Sequence, residues 1–126
     1  MKKEAEIEFG MKFSILLCGD FNSPPPFGVL EFFRQNFIDE NHTDWRSAEG
    51  EHIENLRIEH GLNMDSACGT PKYTTYTIDF KDCIDYIYYQ TDNILVTNIV
   101  PFPLRKKWKN IKVYLILYIH LTILRV

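Results

Sequence analysis

Residues 72–103 read "KYTTYTIDFKDCIDYIYYQTDNILVTNIVPFP", a run dense in Tyr, Thr, Ile and Val and interrupted by the turn-like "DFKD" and "QTDN". β-Branched and aromatic side chains at this density fit a pleated, packed surface and lose rotamer freedom in a helix. The stretch is therefore read as three strands, Tyr73–Thr77, Cys83–Tyr89 and Ile94–Val100. Along the middle one, a period of two puts Cys83, Asp85, Ile87 and Tyr89 on one face and Ile84, Tyr86 and Tyr88 on the other. Asp85 is then a carboxylate among apolar neighbours on a strand covered on both sides. Burial without a partner would raise its pKa and discharge it, so a cation or a hydrogen-bond donor should meet it. The alternative is a partly exposed aspartate at a sheet edge.

Upstream, "SILLCGDFNSPPPFG" places an aspartate and an asparagine two positions apart between an apolar run and three prolines. The run from Ile15 to Cys18, closed by Gly19, fits a short buried strand. If that strand continues through Asn22, Asp20 and Asn22 share a face and Phe21 points the other way. Such a pair offers hard oxygen ligands to a divalent cation, an amide N–H to a phosphate oxygen, and a carboxylate that can take a proton from water. An Asx turn with a solvated Asp and Asn accounts for the same residues. Beyond the prolines, Val29, Leu30, Phe33 and Phe37 recur at helical spacing, which predicts a short amphipathic helix over Val29–Phe37 with its aromatics in the core. Residues 38–72 are polar, contain glycines and hold no sustained period, so they read as a long connection with at most one short helix. His42, His52 and His60 fall there at no metal-ligand spacing and are expected to be solvated or locally capped.

A chain of 126 residues is one ordinary domain at most, with a modest core. A net charge of −3 argues against gripping nucleic acid by bulk electrostatics, so a phosphate partner would have to be met in a local site. Cys18, Cys68 and Cys83 are an odd number, two of them in apolar surroundings; reduced thiols in an intracellular compartment are expected, with no disulfide-linked partner. The opening "MKKEAEIEFG" has no apolar core after its lysines, and its glutamates are wrong for a transit peptide. Near the other end, the fourteen residues Ile111–Leu124 are mostly apolar but interrupted by Lys112 and His120. They fall short of the roughly 20 residues a bilayer span needs, so a strand and no membrane contact is expected.

Taken together, "LLCGDFNSPP" and, after a helix and a long connection, "SACGTPKYTTYTIDFKDCIDYIYY" resemble the endonuclease/exonuclease/phosphatase family. The likeness is to its deadenylase-like branch, and most to the mitochondrial 2′,5′-phosphodiesterases of that branch, over Phe13–Pro103. The resemblance implies an α/β (α+β) fold, a two-sheet β-sandwich flanked by helices, of which this chain would carry half. Residues 1–12 would be an N-terminal extension, 13–103 the C-terminal half of the domain and 104–126 a divergent apolar tail. It implies a magnesium-dependent phosphodiesterase or 3′ exoribonuclease acting on oligoadenylate or poly(A), 2′,5′- or 3′,5′-linked. The partners would be RNA in a local site and the missing N-terminal half of the domain, and the compartment the mitochondrion.

By the same resemblance, Asp20 and Asn22 would hold Mg2+, Asp20 would help activate the attacking water, and Asn22 would contact the metal or the scissile phosphate. Asp85 would orient a catalytic histidine, Phe80 would stack on an adenine, and Thr75 would contact the phosphate. Three departures stand out. Thr75 occupies the place of an asparagine in the family's Y-T-N-Y pattern, Glu4, Glu6 and Glu8 show no context matching the metal-binding glutamate, and the S-D-H motif carrying the histidine is replaced by "LRKKWKNIKVYLILYIHLTILRV". His120 is the remaining substitute for that histidine. The alternative reading is a catalytically inactive fragment that at most binds adenylate or a protein partner.

Overall fold

A computed structural model of the chain describes residues 2–50, 52–100, 113–114 and 119–123, the last two segments by their backbone. The elements are α1 (Lys2–Phe9), β1 (Leu16–Asp20), α2 (Gly28–Gln35), β2 (Phe37–Ile38), a 3-10 turn (Thr43–Arg46), β3 (Ile58–Glu59) and β4 (Met64–Ser66). They continue with β5 (Thr75–Tyr76), β6 (Lys81–Asp82), β7 (Asp85–Gln90), β8 (Ile94–Ile99), β9 (Val113–Tyr114) and β10 (Ile119–Ile123). The fold is mixed α/β, and its strand pairs are antiparallel: a three-stranded sheet β1-β7-β4, a second sheet β6-β5-β9, and the pairs β2–β3 and β8–β10. Among the described residues no helix is long and apolar enough to cross a membrane.

β7 shows the alternation read from its sequence: Tyr86, Tyr88 and Gln90 are buried, whereas Asp85, Ile87 and Tyr89 are half-buried. The strand is thus covered fully on one face only, against the expectation of cover on both. Its inward tyrosines form the core with Leu30, Met64 and Cys83, and Ile15, Phe21, Phe33 and Leu62 pack against it. Tyr88 stacks on Phe33 at 4.3 Å and on Tyr86 at 5.3 Å, and Phe21 meets Phe33, Tyr86 and Tyr88 edge-on at 5.9, 6.0 and 5.2 Å. Each such aromatic pair contributes about 0.5–1.5 kcal/mol beyond its buried area.

Several boundaries differ from the sequence reading, each for a local reason. The strand expected over Cys83–Tyr89 begins at Asp85, because the buried Thr74 hydroxyl accepts the N–H of Ile84 at 2.8 Å and of Asp85 at 2.9 Å and breaks the run between β6 and β7. The strand expected over Tyr73–Thr77 is reduced to the two residues of β5. Helix α2 stops at Gln35 because Asn36 turns left-handed at φ 72°, a conformation Asn tolerates better than most side chains, and Phe37 enters β2 instead. The connection after it contains the single short 3-10 turn but also β3 and β4, and β4 completes the main sheet. The sequence of β1 reads as a buried strand; all five of its residues are exposed, and among the described strands it lies at the sheet edge with β7 in the middle. All three cysteines are free, Cys83 buried, Cys68 half-buried and Cys18 exposed on β1.

Candidate active site

The β1–β7 register sets Asp20 directly opposite Asp85. Opposed residues of an antiparallel pair project to the same face with Cβ atoms about 4.5–5.5 Å apart. Two carboxylates, 65 positions apart in sequence, thus meet at one end of the sheet, Asp20 exposed and Asp85 half-buried. The chain is held there by Phe21, whose N–H donates to Ile84 O at 2.8 Å and whose ring sits among Phe33, Tyr86 and Tyr88. Phe21 pointing inward while Asp20 stays outside agrees with the sequence reading. The following residues are fixed by Tyr86, whose hydroxyl lies 3.0 Å from Ser23 O and 2.9 Å from Cys83 O. Burial drives the Tyr86 phenol far above its ordinary pKa, so it remains a donor to these carbonyls.

Asn22 reaches the site by a different route from the one expected. β1 ends at Asp20, and Asn22 has φ 49°, so the period-of-two argument does not carry to it. Its backbone N–H instead donates to Asp20 Oδ1 at 2.7 Å, an Asx turn, which folds Asn22 back beside the carboxylate that precedes it.

Asp85 finds its donor in Thr75, whose hydroxyl donates to Asp85 Oδ2 at 3.2 Å, and the hydroxyl of the adjacent Thr74 holds the Asp85 backbone. Thr74 was not singled out from the sequence. A threonine in a Thr-rich strand gives no sign that its hydroxyl will replace ladder bonds. Phe80 lies at the end of the turn between β5 and β6, where its N–H donates to the Thr77 hydroxyl at 2.9 Å and the residue is 42% exposed.

The structure therefore gathers Asp20, Asn22, Asp85 and Thr75, and places Phe80 on the hairpin that carries Thr75. His120 pairs with Asn98 in the β8–β10 ladder, a different sheet from that of Asp85. His42 and His60 are locally engaged, as expected: His42 Nδ1 accepts from Asp44 N–H at 3.1 Å, and His60 lies 2.8 Å from Phe32 O and 3.1 Å from Leu62 N. An open depression of about 400 Å³, lined by Arg34, Asn36, Asn63, Met64, Asp65 and Thr91, sits by the opposite end of β7, where Met64 pairs with Gln90.

Chemically, facing carboxylates repel one another and attract a hard divalent cation. Among the described residues there is no group of three or more His, Cys, Asp or Glu side chains able to hold a metal by itself, so a cation here would complete its shell with water or phosphate oxygens, as magnesium commonly does.

Residues 5–106 match the model of the Endonuclease/Exonuclease/phosphatase family. The chain is 38% identical over 89 residues to human "2′,5′-phosphodiesterase 12", an alignment covering 71% of this chain and 15% of that protein. It is 38% identical over 94 residues to the Schizosaccharomyces pombe "CCR4-Not complex 3′-5′-exoribonuclease subunit Ccr4", covering 71% and 14%, and 35% identical over 107 residues to the Xenopus laevis "CCR4-NOT transcription complex subunit 6-like-B", covering 74% and 19%. The chain thus spans about a seventh of the length of the first two relatives. With its G-D-F-N turn and its D-Y-I strand brought together as one carboxylate pair, the chain belongs to the endonuclease/exonuclease/phosphatase family of hydrolytic enzymes, on its deadenylase-like branch.

Proposed function

We propose that the chain carries part of the site of a magnesium-dependent phosphodiesterase that removes adenylate from oligoadenylate or poly(A), 2′,5′- or 3′,5′-linked. The observation that carries the reading is the opposition of Asp20 and Asp85, with Asn22 turned back onto Asp20. Asp20 and Asn22 would hold Mg2+, which when bound supplies a Lewis acid for the phosphate and lowers the pKa of bound water. Asp20, exposed and with one oxygen engaged in the turn, is placed to take a proton from water approaching that phosphate. Thr75 holds Asp85 in one orientation, as a residue that must in turn orient a histidine requires.

That same contact favours a second reading. Thr75 already occupies Asp85 Oδ2. The resemblance calls for a histidine on Asp85 and a further metal-binding glutamate, and each such contribution is commonly worth about a hundredfold in rate or more. The 126 residues by themselves are then a binding unit without turnover.

Both readings are tested by one pair of measurements. The purified chain is incubated with magnesium and with 2′,5′- and 3′,5′-linked oligoadenylate, and in parallel residues 13–103 replace the matching stretch of the human relative. Hydrolysis at background by the chain alone and Asp20-dependent hydrolysis by the chimera is the expected result. A chimera that is folded but inactive with either linkage removes the phosphodiesterase reading, and turnover by the chain alone that Asp20→Ala abolishes removes the second.

A further inference from the structure

The hairpin that carries Thr75 has another face. Thr75 pairs with Asp82 and Tyr76 with Lys81, so the Tyr76–Lys81 pair projects away from the Thr75 side and from Asp85. On that face the Lys81 ammonium stands 5.2 Å from the centre of the Tyr76 ring, Tyr73 meets Tyr76 edge-on at 5.4 Å, and the Lys72 ammonium stands 5.4 Å from the centre of Tyr73. Both lysines are exposed and both rings are half-buried. The result is a continuous row of cation, ring, ring and cation ending at a tip where Ile78 is 91% and Phe80 42% exposed. Of the two acidic residues on the hairpin, Asp82 faces the other way and accepts from Cys83 N–H at 2.8 Å, while Asp79 lies at the tip. β9 enters beside β5 with Val113 opposite Tyr76. In a chain of net charge −3, Lys72 and Lys81 thus put two exposed cations on this one hairpin.

Aromatic rings flanked by lysines are what a single-stranded nucleic acid uses: rings take bases regardless of sequence, and ammonium groups take phosphates. A surface cation–π contact is weaker than a base stacked on tyrosine, so a base can displace the ammonium from the ring and leave it beside the neighbouring phosphate. We propose that Lys72, Tyr73, Tyr76 and Lys81 form a binding strip for single-stranded RNA, on the face of the hairpin remote from the carboxylate pair and joined to it around the Phe80 tip. The identity of the strand as RNA rests on the phosphodiesterase reading; the strip itself rests on the hairpin geometry.

The test is binding without turnover. Fluorescently labelled oligoadenylate and oligouridylate of about eight nucleotides, a length within the usual single-strand site size, are titrated with the full chain in EDTA over a range of salt concentrations. Wild type should bind both, with an affinity that falls as salt rises. The double variant Lys72→Gln/Lys81→Gln, which removes only exposed charge, should flatten the log–log salt dependence by about 1.4, two phosphates at about 0.7 each on a single strand. Tyr76→Ala should weaken both oligomers about tenfold while Tyr76→Phe retains affinity. No binding by wild type, or a double lysine variant with unchanged affinity and salt slope, overturns the strip. Lysine-dependent binding together with an inactive chimera upholds the strip and removes the phosphodiesterase reading, whereas Asp20-dependent hydrolysis with lysine-independent binding removes the strip alone.

Discussion

Asp20 and Asp85 face each other across the β1–β7 ladder as a directly opposed pair of like charges. Opposed like charges destabilise a sheet, so the metal-free chain should gain about 0.5 kcal/mol from Asp20→Asn, which keeps an oxygen for the Asn22 turn while removing the charge. Magnesium should raise the thermal midpoint of the wild type and leave that of the variant nearly unchanged. Denaturant melts without metal check the first and thermal melts with and without magnesium the second, and a variant less stable than wild type without metal would contradict the repulsion.

Thr74 joins the site to the core. Its hydroxyl is the acceptor for two adjacent backbone N–H groups, those of Ile84 and Asp85, and the residue is only 1% exposed. Thr74→Val keeps the shape and deletes the acceptor, leaving two donors without it at about 1–3 kcal/mol each. A loss of about 2 kcal/mol or more is expected, with Thr74→Ser close to wild type, measured by urea unfolding. Equal stability of the valine and serine variants would mean that the hydroxyl holds nothing.

How far the sequence revealed this arrangement depends on whether each signal was local. The two faces of β7 and the inward turn of Phe21 follow from a period of two and were legible. The nearness of Asp20 and Asp85 was legible only through the resemblance, because register between strands 65 positions apart has no local signature. β4 was missed because three residues, Met64–Ser66, cannot show a period. The exposure of β1 was missed because an apolar strand at a sheet edge and one in its middle have the same composition; position in the sheet decides. The partner of Asp85 was anticipated as a cation or a donor, and the structure supplies the donor, Thr75.

Burial raises the pKa of all three thiols. Burial, with Cys83 nearby, pushes the Cys68 thiol up to about 11, and burial is also the main cause that raises Cys83. In the unfolded chain these groups lose protons near 9, so between pH 9 and 11 the unfolded state binds fewer protons than the folded one and stability falls as pH rises. The buried phenols of Tyr86 and Tyr88, also raised, add a loss of the same sign above pH 10. Stability should therefore be level from neutral pH to about 9 and then decline, and Cys68→Ser should make the decline shallower. At pH 8 an alkylating reagent should modify the exposed Cys18 first and reach Cys83 only on unfolding, as peptide mass mapping would show.

The loop from Asn22 to helix α2 ends on a cap supplied from outside the helix. Phe27, at the helix start, provides no side-chain cap; Asp44, sixteen residues beyond Gly28, accepts the Gly28 N–H through Oδ2 at 2.6 Å. Asp44 is held by its own N–H to His42 Nδ1 at 3.1 Å, and His42 Nε2 lies 3.4 Å from Glu31 Oε2 in the first turn of α2. A Cβ on Gly28 would stand 3.0 Å from Ile38 Cδ1 and 3.1 Å from both Asp44 Oδ2 and His42 Cε1. Gly28→Ala should therefore displace the cap as well as crowd the core, at about 1–3 kcal/mol, while Asp44→Ala loses the cap alone, at about 1 kcal/mol. Because both act on one contact, the double variant should lose clearly less than the two single losses added together. Four urea melts close this cycle. Strict additivity would show that the methyl group and the carboxylate act independently, and that Asp44 does not fix where the helix begins.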